Sequence, residues 1–513
     1  MRSAPFATLA SLCVIACVAE RAALTNQMAE SGTRYLTRAA RDPVSWQSWG
    51  REAFKLAARL DRPILLYVGA EECRYCAVMD RETYTDLVLG ALIDSLFVPV
   101  RVDRDERPDV AARYGVAVQL LTGLRGYPLT VFLTPDGSPF FGGTYFPADD
   151  PVTGRGMKQI LPDVARSFRE RRGFVRRQAA LVRQLAYTRE AGAHGVLEPR
   201  TVEAAINGVR AALESAQHSR AALGSLTYTR AAALLLAASA RGGDSSDLDV
   251  ARSALDVVAD SVEAAAAAGE RDDPPGLVRA GMLRNLAVGW ALAAEPRYRD
   301  AARHLLGSLL RDLSGADDRV VFADREAYVI GSVLEAAAST GDSTAERSAL
   351  TALDGLLAHA YTSGRGVRHV GHSRSAGPAL LQDQVQVSSA CLAAYNATGD
   401  PRYLRVAQDL VAIFERDFAD PMGGYFDASG ADPAAPALAD RTKQVLDDLL
   451  PGANAWAARV LLQLADATGD AGYRRRAEAT LEAFAGVIPA EGLRAATYLA
   501  AAQAVLPAPS LPR

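Results

Sequence analysis

The stretch EECRYCAVMD, Glu71 to Asp80, sets Cys73 and Cys76 two residues apart just after the apolar run PILLYVG. A Cys-x-x-Cys pair opening a helix places its first sulfur against unpaired N–H groups and the positive end of the helix dipole, and both favour thiolate. The second sulfur lies within one turn and can close a disulfide. Cys73 is therefore the expected attacking thiol and Cys76 the resolving one. Arg74 adds a positive charge that favours thiolate at Cys73, Tyr75 fills the other intervening place, and Glu71 and Glu72 act against Arg74. A zinc site would need four ligands. Apart from this pair, no Cys and no His occurs between residues 18 and 193, so neither a metal nor another cofactor is expected. Two structural, chemically idle thiols remain the plain alternative.

The elements that would hold the pair follow from local pattern. Ile64 to Val68 reads as a buried strand ending at Gly69. AVMDRETYTDLVLGALIDSLF has helical spacing, and Val98 to Asp103 reads as a second strand. Asp109 to Tyr114 reads as a short helix ending at Gly115, Leu129 to Leu133 as a third strand, and PFFGGTYF, after the turn TPDG, as a fourth. Strand, CxxC, helix, strand, helix, Pro, strand, turn, strand is a thioredoxin-like order. In such folds the proline before the central antiparallel strand is cis and faces the disulfide. Pro128 occupies that place and joins the site residues. Tyr67, six residues before Cys73, stands where thioredoxins usually carry a buried acid, so one proton-handling device is missing. The loop Asp103 to Asp109, DRDERPD, lacks the Gly at position six and the late Glu of a calcium loop, and reads as a charged loop after a strand.

Several further stretches occur together: Asp42-Pro43-Val44, Trp46, Trp49-Gly50, Glu52-Ala53-Phe54, Arg62-Pro63-Ile64, Val102 to Asp109, Gly126 to Gly137 and Phe141 to Pro147. In this order they resemble the thioredoxin-domain family typified by spermatogenesis-associated protein 20, the DsbH-like thioredoxin domain, over about residues 40 to 185. The resemblance implies a C-terminal helical toroid like those of six-hairpin glycosidases and sugar epimerases. The family usually reads C-H-W-C-H at the pair. Here it is Cys73-Arg74-Tyr75-Cys76-Ala77, with both cysteines kept and both histidines replaced. Dithiol chemistry survives that change, whereas a metal role or His-based proton transfer is weakened.

The chain has 513 residues, 49% hydrophobic and 23% charged, which points to a soluble protein of two or three domains. Its net charge of −4 and lack of a basic tract argue against nucleic acid as a partner. Five cysteines are too few for a disulfide scaffold, and Cys391 reads as a buried small hydrophobe. Beyond residue 200 alanine dominates and a joint recurs, ATGDPRYL at Ala397 and ATGDAGY at Ala467, with looser copies such as Thr340-Gly341-Asp342. Gly ends one helix in a left-handed turn, Asp caps the next, and Pro suits its first turn. The period fits about six hairpins, hence an (α/α)6 toroid, with an open solenoid as the other option.

The expected fold is therefore multidomain, an N-terminal α/β thioredoxin-like fold followed by an all-α (α/α)6 toroid. The expected segments are a signal peptide or lipoprotein anchor at 1–20, the thioredoxin-like domain at 40–150, a helical linker at 151–195 and the toroid at 196–508. A toroid cleft would need placed carboxylates or a base. The candidates are Asp383, Asp427, Asp447, Asp448, His369 and His372, each with a cap or rim role as its plainer reading. Segments that are rich in aromatics and His in the family look eroded here.

The N-terminus, MRSAPFATLASLCVIACVAE, has an apolar run too short to span a membrane and fits a secretory signal. Val14 to Cys17 resembles a lipobox, which makes Cys17 the lipidation candidate. The expected location is the periplasm or cell envelope, with the cytoplasm as the alternative. Membrane contact would come only through that N-terminal lipid or anchor. The leading functional expectation is a thiol–disulfide oxidoreductase or redox-linked protein acting on a protein thiol or disulfide partner, its toroid binding a partner or a glycan. A carbohydrate-active toroid, epimerase- or glycosidase-like, with a structural thioredoxin domain is the second expectation. A non-catalytic interaction scaffold is the third.

Overall fold

A computed structural model describes residues 24–507 except 192, 218, 243–244, 269–275, 315–319, 371–376 and 433–440. Cys17 and His372 lie outside the described residues. The first part is built on a five-stranded sheet of β1 (Gln47–Ser48), β2 (Ile64–Gly69), β3 (Val98–Asp103), β4 (Leu129–Leu133) and β5 (Pro139–Gly143), in the order β1-β3-β2-β4-β5. β1, β3 and β2 run parallel, and β4 and β5 add antiparallel. The central strands are covered on both faces, which is why they read as unbroken apolar runs. Ile64, Leu66 and Val68 enter one core with Val98, Val100 and Val102, while Leu65 and Tyr67 enter the other. The two-residue period of the strand makes that division.

Helices α1 (Arg34–Arg38), α3 (Arg74–Glu82), α4 (Leu87–Leu96), α6 (Met157–Glu170) and α7 (Arg172–Ala191) cover the Tyr67 face. The opposite face is covered by α2 (Arg51–Leu60) and α5 (Pro108–Thr122). Three expectations change here. The short helix over 109–114 runs on through Gly115 to Gly123, which closes it with φ +74°. A Cβ at Gly115 would meet only Leu129 at 3.9 Å, so nothing requires the helix to stop there. The expected linker 151–195 is not a spacer either, because Met157, Leu161, Phe168, Val175 and Ala179 complete the core on the Tyr67 face. That core also reaches back to Met28, ahead of the expected start at residue 40.

The second part contains α8 (Pro199–Ser215), α9 (Arg220–Leu223), α10 (Leu226–Ala240), α11 (Ser245–Ala268), α12 (Gly276–Ala293), α13 (Pro296–Ser314), α14 (Ala323–Thr340) and α15 (Ser343–Ala360). It continues with the small hairpin β6 (Tyr361–Thr362) and β7 (Gly366–Val367), then α16 (Leu381–Thr398), α17 (Pro401–Asp417), α18 (Ala453–Thr468), α19 (Ala471–Glu482) and α20 (Ala496–Val505). Helices α10, α12, α14, α16, α18 and α20 each pack on the next, and α20 packs back on α10. The ring closes, so this part is an (α/α)6 toroid and not an open solenoid. The repeated joint works as its residues dictate. Gly341, Gly399 and Gly469 end three inner helices with φ near +70°, and Asp342, Asp400 and Asp470 cap the outer helices that follow.

Candidate functional sites at the CxxC corner and the toroid mouth

Cys73 is the N-cap of α3, and its sulfur accepts the Cys76 N–H at 3.2 Å. The two cysteines are joined in a disulfide. Cys73 is half-buried and Cys76 fully buried. Tyr127–Pro128 is cis and leads into β4. Tyr75 is 60% exposed beside the Tyr145 ring, and Arg74 is exposed. Glu71, expected to oppose Arg74, is ion-paired with Arg38.

Beneath the pair lies a group that sequence reading passed over. Arg101, on β3 beside Tyr67 in register, is only 2% exposed. Its guanidinium lies 4.5 Å from the Tyr35 ring centroid, 5.1 Å from Tyr67 and 5.6 Å from Trp46. It donates to Asp80 at 2.8 Å and sits 3.6 Å from Asp42. Burial and the facing Arg101 act in opposite directions on Asp42, and burial prevails, raising its pKa to about 6. Tyr67 donates to the Cys76 carbonyl at 3.4 Å, and burial holds its phenol far above the usual range, so it does not replace the missing acid as a proton carrier. An arginine in the middle of the strand VPVRVD was the available signal, since a charge among inward-facing valines needs a partner.

Tyr35 Oη and Cys76 Sγ both crowd Gly69. A Cβ there would sit 1.9 Å from the hydroxyl and 3.4 Å from the sulfur, so only glycine fits without a shift. The Tyr35 hydroxyl is buried.

At the toroid mouth the inner helices begin, and the DRDERPD loop of the first domain is inserted there. Asp105 pairs with Arg104 and with Arg325 of α14. Burial works against the Asp105 carboxylate, but the two arginines prevail and hold its pKa at about 2. Arg107 joins Asp109 to Asp432, and the Trp49 indole donates to Asp432 at 2.7 Å. His369 Nδ1 lies 2.8 Å from Asp383 Oδ1, and Nε2 lies 2.8 Å from the Asp105 carbonyl. A carbonyl only accepts, so Nε2 carries hydrogen. Burial would lower the His369 pKa, but Asp383 and Asp324 outweigh it and raise it to about 10. Asp324, His369 and Asp383 come close enough to hold a metal ion, yet an imidazolium engaged at both nitrogens has no lone pair to give.

The other toroid candidates are spread out. Asp427 accepts from the Gln444 N–H and the Thr442 hydroxyl. Asp447 is buried and accepts from the Gly452 and Thr497 N–H groups; its pKa is raised by that burial. Asp448 is exposed, and its carbonyl accepts from Arg230. Cys391 is a buried free thiol whose pKa burial drives upward.

Residues 25–186 match the family model Thioredox_DsbH, a protein of unknown function, DUF255. Human spermatogenesis-associated protein 20 is 39% identical over 145 residues, 28% of this chain and 18% of the human protein. The uncharacterized protein B0495.5 of Caenorhabditis elegans is 42% identical over 132 residues, 26% of this chain and 18% of that protein. The chain thus spans under a fifth of these relatives' length, and the resemblance read from the sequence holds for the thioredoxin domain. Among solved structures, an unsaturated glucuronyl hydrolase specific for heparin aligns with TM-score 0.45 and 12% identity, covering 60% of this chain and 97% of that one. The unsaturated glucuronyl hydrolase of Bacillus sp. GL1 aligns with TM-score 0.43 and 14% identity, covering 55% and 83%.

Proposed function

We propose that this chain is a thiol–disulfide oxidoreductase of the cell envelope, with its redox domain mounted on a helical toroid that holds the partner. The observation that supports it is the division of labour at α3. Cys73 is reachable and has its sulfur on a helix N-terminal N–H, whereas Cys76 is buried behind it. In the reducing direction the Cys73 thiolate attacks one sulfur of a partner disulfide, and the other partner sulfur leaves as thiolate. The Cys76 thiolate then attacks Cys73 Sγ, releasing the second partner thiol and closing Cys73–Cys76. Two electrons pass to the partner, and the reverse sequence oxidises a dithiol. Arg74 and Tyr75 line the exposed rim. Export, with Cys17 as the lipid-bearing residue, would place the pair where disulfides persist.

The toroid serves in this reading as a binding scaffold. Asp383, Asp427 and Asp447 are already engaged in holding loops and ion pairs, which leaves glycoside hydrolysis without a free pair of carboxylates among them. The test is trapping. Cys76→Ser should accumulate a mixed disulfide through Cys73 with a disulfide-bearing protein substrate, and Cys73→Ser should accumulate none. In wild type the pair should titrate reversibly between about −270 and −120 mV. A Cys76→Ser protein that traps nothing, or a pair that resists reduction below about −300 mV, would overturn the proposal.

A further inference from the structure

Midway down the inner helices, three charged side chains meet two aromatic rings. Arg284 of α12 and Arg459 of α18 both stack on Trp456, at 5.3 and 4.7 Å from its ring centroid. Arg284 also lies 5.1 Å from the Tyr328 ring. Among the described residues, the carboxylate paired with both is Glu335 of α14, whose Oε1 is 3.3 Å from Arg284 and 3.8 Å from Arg459. Both distances exceed the 2.7–2.9 Å of a charge-assisted hydrogen bond, so one carboxylate oxygen is loosely shared by two cations. The cluster carries one positive charge in excess.

Arg284 is anchored, since its Nε donates to Ser332 at 2.8 Å. Gly331 leaves room for it, because a Cβ there would stand 3.3 Å from the guanidinium. Arg459 is not anchored by any hydrogen bond to the described residues. Of its side-chain surface, 41% is open. Glu335 is open to 32%. In the ring of inner helices α12 and α18 stand opposite each other, so Arg284 and Arg459 meet across the cavity that the ring encloses. Five N–H donors on a fixed planar fork, facing such a cavity with unmet positive charge, match a planar or tetrahedral oxyanion.

We infer that the toroid lumen is a binding site for the carboxylate or phosphate group of a small soluble molecule. Arg459 is the principal donor, Arg284 the second, and Glu335 the built-in competitor for both. The site is separate from the CxxC pair and stands or falls without the redox proposal.

Calorimetric titration of the full chain at low ionic strength tests this, with inorganic phosphate, glucuronate and glucose as probes. Saturable binding of phosphate or of glucuronate, with none of glucose, is the expected result. The arm that binds names the oxyanion. Arg459→Gln should weaken that binding at least tenfold, and Glu335→Gln should tighten it several-fold by removing the competitor. Glu335→Gln keeps the shape of the cluster, so it gives a reading even if Arg459→Gln does not fold. Absence of oxyanion binding, equal binding of glucose, unchanged binding by folded Arg459→Gln, or weaker binding by Glu335→Gln would each overturn the inference.

Discussion

At the CxxC corner the Cys73 sulfur is half open, and the buried charge, Arg101 with Asp80, lies beneath it. At the toroid mouth the arrangement is reversed. Asp383 is wholly buried, His369 is bonded at both nitrogens, and the backbone of another domain fills the space before them. Buried carboxylate–cation pairs occur in both places, Asp80 with Arg101 at the corner and Asp383 with His369 at the mouth, but only the corner sets one beside a partly open sulfur. Residue type alone does not separate the two uses. What separates them is whether the atom that would react still has a free lone pair and a way out.

The largest effect should come from breaking the mouth. His369→Leu leaves Asp383 buried without its counter-ion and frees the Asp105 carbonyl, for an expected loss of about 3–5 kcal/mol. Denaturant unfolding of the variant against wild type measures it. The pH dependence sharpens the point. The His369 pKa is raised on folding from the usual 6.5 to about 10, so its stabilisation is complete below about 6.5 and disappears as pH rises through 10. The difference in stability between wild type and His369→Leu should therefore shrink as pH rises from about 6.5 to 10. A constant difference from pH 6 to 11 would mean that His369 contributes only shape.

This contrast also marks what a sequence shows. The CxxC pair, the cis proline, the central strands and the Gly-Asp joints are each encoded within a dozen residues, and local pattern finds them. The lock at the mouth is not encoded that way. Asp105 meets Arg325 across 220 positions, and Arg107 meets Asp432 across 325. Nothing near DRDERPD announces its partners, so it reads only as a charged loop after a strand. Arg284, Glu335 and Arg459 likewise sit on three helices and come together only when the ring closes. The helices at 151–195 read as a linker for a related reason. Their apolar faces show that they are buried, but not against which core.

At the other region, Gly69→Ala should cost about 1–3 kcal/mol, because the new methyl overlaps the Tyr35 hydroxyl and touches Cys76. Adding Tyr35→Phe removes the closest atom and should restore part of the loss, though the ring carbon at 2.9 Å remains. Thermal unfolding of the two single variants and the double variant measures the coupling. Simple additivity would mean that the hydroxyl does not crowd Gly69. In the same proteins the Cys73–Cys76 potential should move with Gly69→Ala, whereas His369→Leu should leave it unchanged if mouth and corner are separate.

The smallest effect belongs to the joints. Asp342 caps α15 by accepting the Thr344 and Ala345 N–H groups at 3.1 and 3.0 Å, on an exposed rim at the end of α14 opposite Asp324. Asp342→Ala should cost about 1 kcal/mol. It removes a carboxylate close to backbone donors, as His369→Leu removes a cation close to a carboxylate, but water replaces the lost partner at the rim and cannot do so at the mouth. If unfolding measurements gave the two variants equal losses, the mouth would have to be wet. His369 and Asp383 would then be open to ligands, and the distinction between a site of attachment and a site of chemistry would fail at the toroid.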